Sequence, residues 1–174
     1  MNVSNASANP AFAQQSAQVN NAVRKIFKSM FAMEIEARNS PVSNDLASDG
    51  VVVAVISLVG DLEWSVWLGM PRPVATGATS EFIGEEVPFE EVEEIADAVG
   101  EMANMIAGEV KANLSNLGFK THVSLPNVIC GESLAILPKN GHPSVRTRFG
   151  SKWGDFWIEV VAGVTEGETR AVGS

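Results

Sequence analysis

Residues Glu90 to Gly118 read EEVEEIADAVGEMANMIAGEVKANLSNLG, and their spacing decides the architecture. Val92, Ile95, Val99, Met102, Ile106 and Val110 recur at helical intervals and form a long apolar stripe, and Gly118 is a natural helix stop. The segment from Glu90 to Leu117 is therefore expected to be one long helix. Asp97, Glu101 and Asn104 stand at i, i+4 and i+7 within it. At 3.6 residues per turn they lie within about 60° of one another, on the side opposite Ile95, Val99, Met102 and Ile106. The trio must point outward if the stripe points into a core. Gly108 follows one turn after Asn104 on the same outward face. A glycine there costs about 1 kcal/mol of helix stability against alanine, and a flat spot for the backbone of another protein is one reason to keep it.

Outward from this helix, the pattern changes period several times. On the N-terminal side, Val19, Val23, Ile26, Phe27, Met30 and Phe31 follow the spacing of a first helical face. Met33, Ile35 and Ala37 then alternate with charged residues as in a half-buried strand, and Asn39 to Gly50 reads as loop. Val51 to Val59 has the β-branched density of a central strand. Gly60-Asp61 turns it into a second strand through Leu62, Trp64, Val66 and Leu68. A short helix is expected after Pro73, ending near Gly84. On the C-terminal side, Phe119–Leu125, Glu132–Leu137, Val145–Phe149 and Phe156–Val161 are the strand candidates. Pro126-Asn127, Lys139-Asn140-Gly141 and Trp153-Gly154-Asp155 are the breaks between them. The order suggests an α+β domain made of a duplicated helix-plus-strands unit, with an antiparallel sheet covered by two long helices. Residues 1–18 are expected to be a flexible tail, 19–163 a single domain, and 164–174 a polar C-terminal tail.

Composition narrows the function classes. The chain has 174 residues, a length that suits one domain with a substantial core. A net charge of −9 repels phosphate backbones and anionic lipid, so neither a nucleic-acid partner nor a membrane is expected. The longest apolar run, Val51 to Val59, is far short of the roughly 20 residues of a membrane span. No stretch resembles a signal peptide, and a cytoplasmic protein is expected. With Cys130 the single cysteine, an intramolecular disulfide and a Cys-rich zinc site are excluded, and His122 and His142 are too few for a His-based metal centre. No metal or other cofactor of its own is therefore expected.

Exposed Asp, Glu and Asn on one helix are ordinarily a solvated face, and a bare Glu-x-x-Asn arises by chance. The context here is more specific. Asp97, Glu101 and Asn104 are followed by Met105-Ile106-Ala107-Gly108, and the next strand leads into Ser124-Leu125-Pro126. That combination resembles the CheX/CheC/FliY family of chemotaxis phosphatases, most closely its CheX branch. The signature of that family is Asp or Ser, Glu four residues on, Asn three further, and a Pro about 22 residues beyond the Asn, which here is Pro126. Ile56 to Asp61 also resembles the first-half hairpin of the family, and the likeness runs over roughly residues 20 to 162.

The resemblance implies a CheC-like fold, a homodimer, and hydrolysis of the aspartyl phosphate on a CheY-like response-regulator receiver. The receiver would supply the phosphoryl group, a lysine and a bound divalent cation, expected to be Mg2+. By resemblance, Asn104 orients the attacking water and Glu101 pairs with the receiver lysine, while Asp97, Gly108 and Pro126 help bind the partner. CheC-like members carry the motif in both halves. Matching Gly118-Phe119 to Ala32-Met33 brings Gln15 and Gln18 onto Glu101 and Asn104, so one site per chain is expected. The alternative is a non-catalytic receiver-binding or flagellar-switch adaptor of the same fold.

The remaining residues have plainer expectations. Cys130 has no cation beside it in sequence and reads as a buried structural thiol. His122 reads as an ordinary strand residue and His142 as an exposed turn residue. Glu85, Glu86, Glu90, Glu91, Glu93 and Glu94 flank the start of the long helix, where they suit its dipole and solubility, with steering of basic surface on a receiver as the lesser reading. Trp64 and Trp67 should face opposite sides of their strand, as should Trp153 and Trp157.

Overall fold

The central strand pattern and the two apolar stripes fold into a single mixed sheet-and-helix layer structure. The computed structural model describes residues 10–38, 49–132, 134 and 142–163. In chain order the elements are α1 (Pro10–Phe31), β1 (Glu36–Arg38), β2 (Val51–Gly60), β3 (Trp64–Pro71), α2 (Arg72–Ile83), α3 (Val92–Asn116), β4 (Thr121–Val123), β5 (Asn127–Gly131), β6 (Ser144–Ser151) and β7 (Gly154–Ala162). The sheet runs β1-β6-β7-β3-β2-β4, with β5 also paired to β2, and every pairing is antiparallel.

This order has an internal logic. The β2–β3 and β6–β7 hairpins meet at the centre through β3 and β7. β1, which follows α1, pairs with the hairpin of the second half, whereas β4 and β5, which follow α3, pair with the hairpin of the first. Each half thus lends its leading strand to the other, an arrangement that matches the duplicated unit read from the sequence.

Alternation on the strands explains the layers. Val52, Ala54, Ile56 and Leu58 of β2, with Trp64, Val66 and Leu68 of β3 and Ile158 and Val160 of β7, face the three helices in the main core. Phe156 stacks on Phe27 of α1 at 4.7 Å between ring centroids and anchors that helix to the sheet. The opposite face holds a smaller cluster of Val51, Val53 and Trp157, with Val55, Trp67 and Leu134 packed against it. The tryptophans divide as expected, Trp64 and Trp153 on the helix side and Trp67 and Trp157 on the other.

Three elements differ from the sequence expectation. α1 begins at Pro10 rather than near Val19, so residues 10–18 belong to the helix instead of a tail. The stripe continues through Phe12 and Ser16, both buried, and a serine at a core position hid the period. Phe12 meets Trp64 edge-on at 5.7 Å. β1 is a three-residue, fully exposed edge strand, although Ile35 just before it is buried. β5 occupies Asn127–Gly131, so it opens inside the break expected at Pro126-Asn127 and fills residues assigned to no element, because a proline immediately before a strand need not interrupt its ladder. Of the strand expected at 132–137, Glu132 and Leu134 lie outside any strand and the other residues fall outside those described, as do residues 39–48, the break at 139–141 and the extreme termini. Among the described residues, no helix is long and apolar enough to cross a membrane.

Candidate functional site

α3 carries the site, so what fixes α3 fixes the site. Ile95, Val99, Met102, Ile106, Val110 and Leu114 are all buried and lock its inner face. Glu93 and Glu94 lie in its first turn, where negative charge complements the helix dipole. At the other end, Phe119 N–H donates to the Leu114 carbonyl and Gly118 N–H to that of Ser115, each at 3.0 Å. Gly118 has φ 91°, so the helix closes in a Schellman motif whose left-handed residue suits glycine. Sideways, Lys25 of α1 pairs with Glu109 at 2.7 Å, and Asn113 Nδ2 donates to the Gln18 carbonyl at 3.4 Å.

On this braced helix, Asp97, Glu101, Asn104 and Gly108 are all exposed on the outer face. Glu101 and Asn104 are three residues apart, which puts their Cβ atoms about 5–6 Å from each other. Among the described residues, neither side chain takes part in a hydrogen bond or ion pair. A carboxylate and an amide held side by side and exposed can engage a cation and a water on an approaching surface.

Pro126 reaches the same region from the sheet edge. A Cβ on Gly100 would stand 3.8 Å from Pro126 Cγ and 3.1 Å from Val128 Cγ2, so the small residue lets the β4–β5 link lie close against α3. The link is pinned by Ser124. Its hydroxyl accepts from Ser57 N–H at 3.0 Å and donates to the Leu125 carbonyl at 2.9 Å, and its own N–H donates to the Ser57 carbonyl at 2.9 Å. Leu125, which entered the sequence reading only as part of Ser124-Leu125-Pro126 and was given no contact role, is left 83% exposed beside Pro126. On the other flank, an open groove of about 580 Å³ runs between the end of α2 and α3, lined by Phe82, Ile83, Glu94, Asp97 and Glu101 among others. The part played by α2 had no signal in the sequence, because only the packing of α2 on α3 creates the groove.

Gln15 and Gln18 of α1 are half-buried rather than displayed. Ala32 and Gly118 both have left-handed backbone after their helices, which supports the register that relates Gln15 and Gln18 to Glu101 and Asn104. The polar outliers are peripheral. Cys130 is exposed, contrary to the expected burial, since β5 lies at the sheet edge. Partial burial of its thiol still pushes the pKa above the usual thiol value, with Arg72 pulling weakly the other way. His122 is exposed on β4, and His142 is partly buried with Nδ1 3.0 Å from the Ala162 carbonyl oxygen. Among the described residues, no group of three or more His, Cys, Asp or Glu side chains is arranged to hold a metal ion.

The family model described as chemotaxis phosphatase CheX matches residues 52–150, more than half of the chain and a span that includes every residue of the α3 face. The chain belongs to the CheX family. A curated relative, the CheY-P phosphatase CheX of Thermotoga maritima, is 30% identical over 86 residues, which is 49% of this chain and 55% of that relative. The match therefore spans about half the length of the curated relative. The crystal structure of CheX from Vibrio vulnificus superposes with a TM-score of 0.76 at 24% identity, covering 89% of this chain and all of that one. The CheX–CheY–BeF3–Mg2+ complex from Borrelia burgdorferi gives 0.69 at 20% identity, covering 85% of this chain and 96% of that chain. At these identities the structural likeness establishes a CheX-type, CheC-like fold, and the fold expectation from sequence is met.

Proposed function

We propose that this CheX-family chain is a phosphatase that hydrolyses the aspartyl phosphate of a CheY-like receiver domain. The observation that carries the proposal is the pairing of Glu101 with Asn104, exposed and unpartnered on the outer face of a buried-backed helix. The curated relative is named for CheY-P phosphatase activity, and the Borrelia burgdorferi relative is a complex with CheY, which supports the same reading.

The chemistry asked of this chain is small. A water oxygen forms a bond to phosphorus while the bond from phosphorus to the aspartyl oxygen breaks, its electrons returning to the receiver carboxylate. The water proton leaves with the inorganic phosphate. The receiver brings the phosphoryl group, a lysine and a divalent cation, expected to be Mg2+. What is missing is a water held in line, which is a positioning task. Asn104 is suited to it because an amide can accept a hydrogen bond from the water and donate another without ionising. Glu101 sits one turn away and pairs with the receiver lysine, fixing the register of α3 on the receiver. Asp97, Gly108 and Pro126 complete the contact surface: a further carboxylate, a gap in the side-chain layer, and a rigid shoulder beside Gly100.

The reading includes a homodimer in the cytoplasm, where receivers are found. Ile129, 44% exposed on the edge strand β5, is an apolar side chain that a second copy would cover. Light scattering at micromolar concentration should give twice the chain mass, and a monomer would refute the dimer. Phosphate release from phosphorylated CheY-type receivers of the source organism tests the activity. Release faster than receiver autodephosphorylation is expected. Binding without acceleration would instead favour the adaptor.

A further inference from the structure

The groove beside the Glu-x-x-Asn face has a chemistry that the dephosphorylation step does not use. Its floor is apolar, with Phe82 half-buried and Ile83 39% exposed at the end of α2. Its wall along α3 is acidic, carrying Glu91, Glu94, Asp97 and Glu101. None of these carboxylates takes part in an ion pair among the described residues, where the pairs formed all lie elsewhere. Arg72, at the start of α2, is committed to Phe89. Its guanidinium lies 4.4 Å from the centre of that ring and donates to the Phe89 carbonyl at 2.7 Å.

An acidic wall over an exposed aliphatic floor is complementary to a basic, amphipathic surface element. The groove is also continuous with the proposed reaction face, because Asp97 and Glu101 belong to both. From Glu101, Glu94 lies about 10 Å and Glu91 about 15 Å along the axis of α3 at 1.5 Å per residue. We infer that this groove is a second docking contact for the receiver. It seats a receiver segment that carries Lys or Arg beside an aliphatic side chain, about 10–15 Å along α3 from the Glu101 contact. Distant charges of this kind act on encounter and affinity more than on the chemical step. The groove therefore selects which receiver is served, while Asn104 acts on whichever receiver is bound. The inference rests on the function proposed above.

The test uses the full chain and two readouts, affinity for a beryllofluoride-loaded CheY-type receiver and single-turnover dephosphorylation. The double variant Glu91→Lys/Glu94→Lys should raise Kd about tenfold at low salt and flatten the salt dependence of binding, with the rate at saturation unchanged within about twofold. Glu91→Gln/Glu94→Gln, which removes charge without reversing it, should give a smaller shift in the same direction and covers the case in which the double lysine variant folds poorly. Ile83→Ala should also weaken binding without changing the saturated rate. Unchanged Kd in these variants overturns the groove inference while leaving the phosphatase reading intact. A wild-type chain that binds but does not hydrolyse defeats the phosphatase reading, and the same Kd comparison still decides the groove. A variant that binds the receiver normally but loses self-association would assign the groove to a second copy of this chain and refute the inference.

Discussion

Gly108→Ala should stabilise the protein and weaken it as a partner at the same time. Gly108 lies well inside the 25-residue helix α3 and is exposed. A Cβ built there meets nothing within 4 Å, so the substitution brings no clash and buries no new surface. What remains is helix propensity, worth about 1 kcal/mol for alanine over glycine in a helix interior. For 174 residues, an unfolding entropy of about 2.1 cal/mol/K per residue converts this to a rise in Tm of about 3 °C. If the gap at Gly108 admits receiver backbone, the added methyl should raise Kd for a beryllofluoride-loaded receiver about tenfold, or about 1.4 kcal/mol. Thermal unfolding and a receiver titration on the same preparation read both effects. A lower Tm would show that Gly108 does not lie in open solvent on a regular helix. A higher Tm with unchanged Kd would show that the position faces water in the complex and has no part in docking.

Three further outcomes follow from the packing. Gly69→Ala should destabilise by about 3 kcal/mol, because its Cβ would fall inside the Trp157 ring that lies across β3, and denaturant unfolding should show the loss. Ala32→Gly should raise stability by about 0.5 kcal/mol, since this exposed alanine holds a left-handed backbone of φ 50° after α1, and a drop in the denaturation midpoint would contradict it. Cys130 should alkylate more slowly than a free model thiol at pH 8 despite its exposure. Its raised pKa keeps the thiol protonated, so the reaction with iodoacetamide should climb only above the ordinary thiol range.

The legible parts of this fold were those where one period ran uninterrupted. The stripe from Ile95 to Val110 and the stop at Gly118 placed α3 nearly to the residue, and the outward turn of Asp97, Glu101 and Asn104 followed from geometry alone. Val51–Val59 announced a central strand because both faces of its first residues are buried. The misread elements had conflicting local signals. Ser16 sits at a core position of α1, so the stripe looked as though it began seven residues after Phe12. Pro126-Asn127 has the composition of a turn, yet Asn127 opens β5, because its ladder partner Val55 belongs to a strand set 72 residues earlier in the chain. The α3 face was readable because it lies within one helix. The groove and the placement of Leu125 were not, because they arise where α2 and the β4–β5 link close on α3 from elements distant in sequence.

The most direct test of the account is single-turnover dephosphorylation of a phosphorylated CheY-type receiver by wild type and Asn104→Ala at saturating concentrations of this chain. Asn104 is exposed and unpartnered, so alanine should leave the fold intact and binding of the beryllofluoride-loaded receiver close to normal. The saturated rate should fall by about 100-fold, towards that of the receiver alone, because the amide acts mainly on the water in the transition state. A variant that binds the receiver and hydrolyses its phosphoryl group as fast as wild type at saturation would contradict the water-positioning role of Asn104.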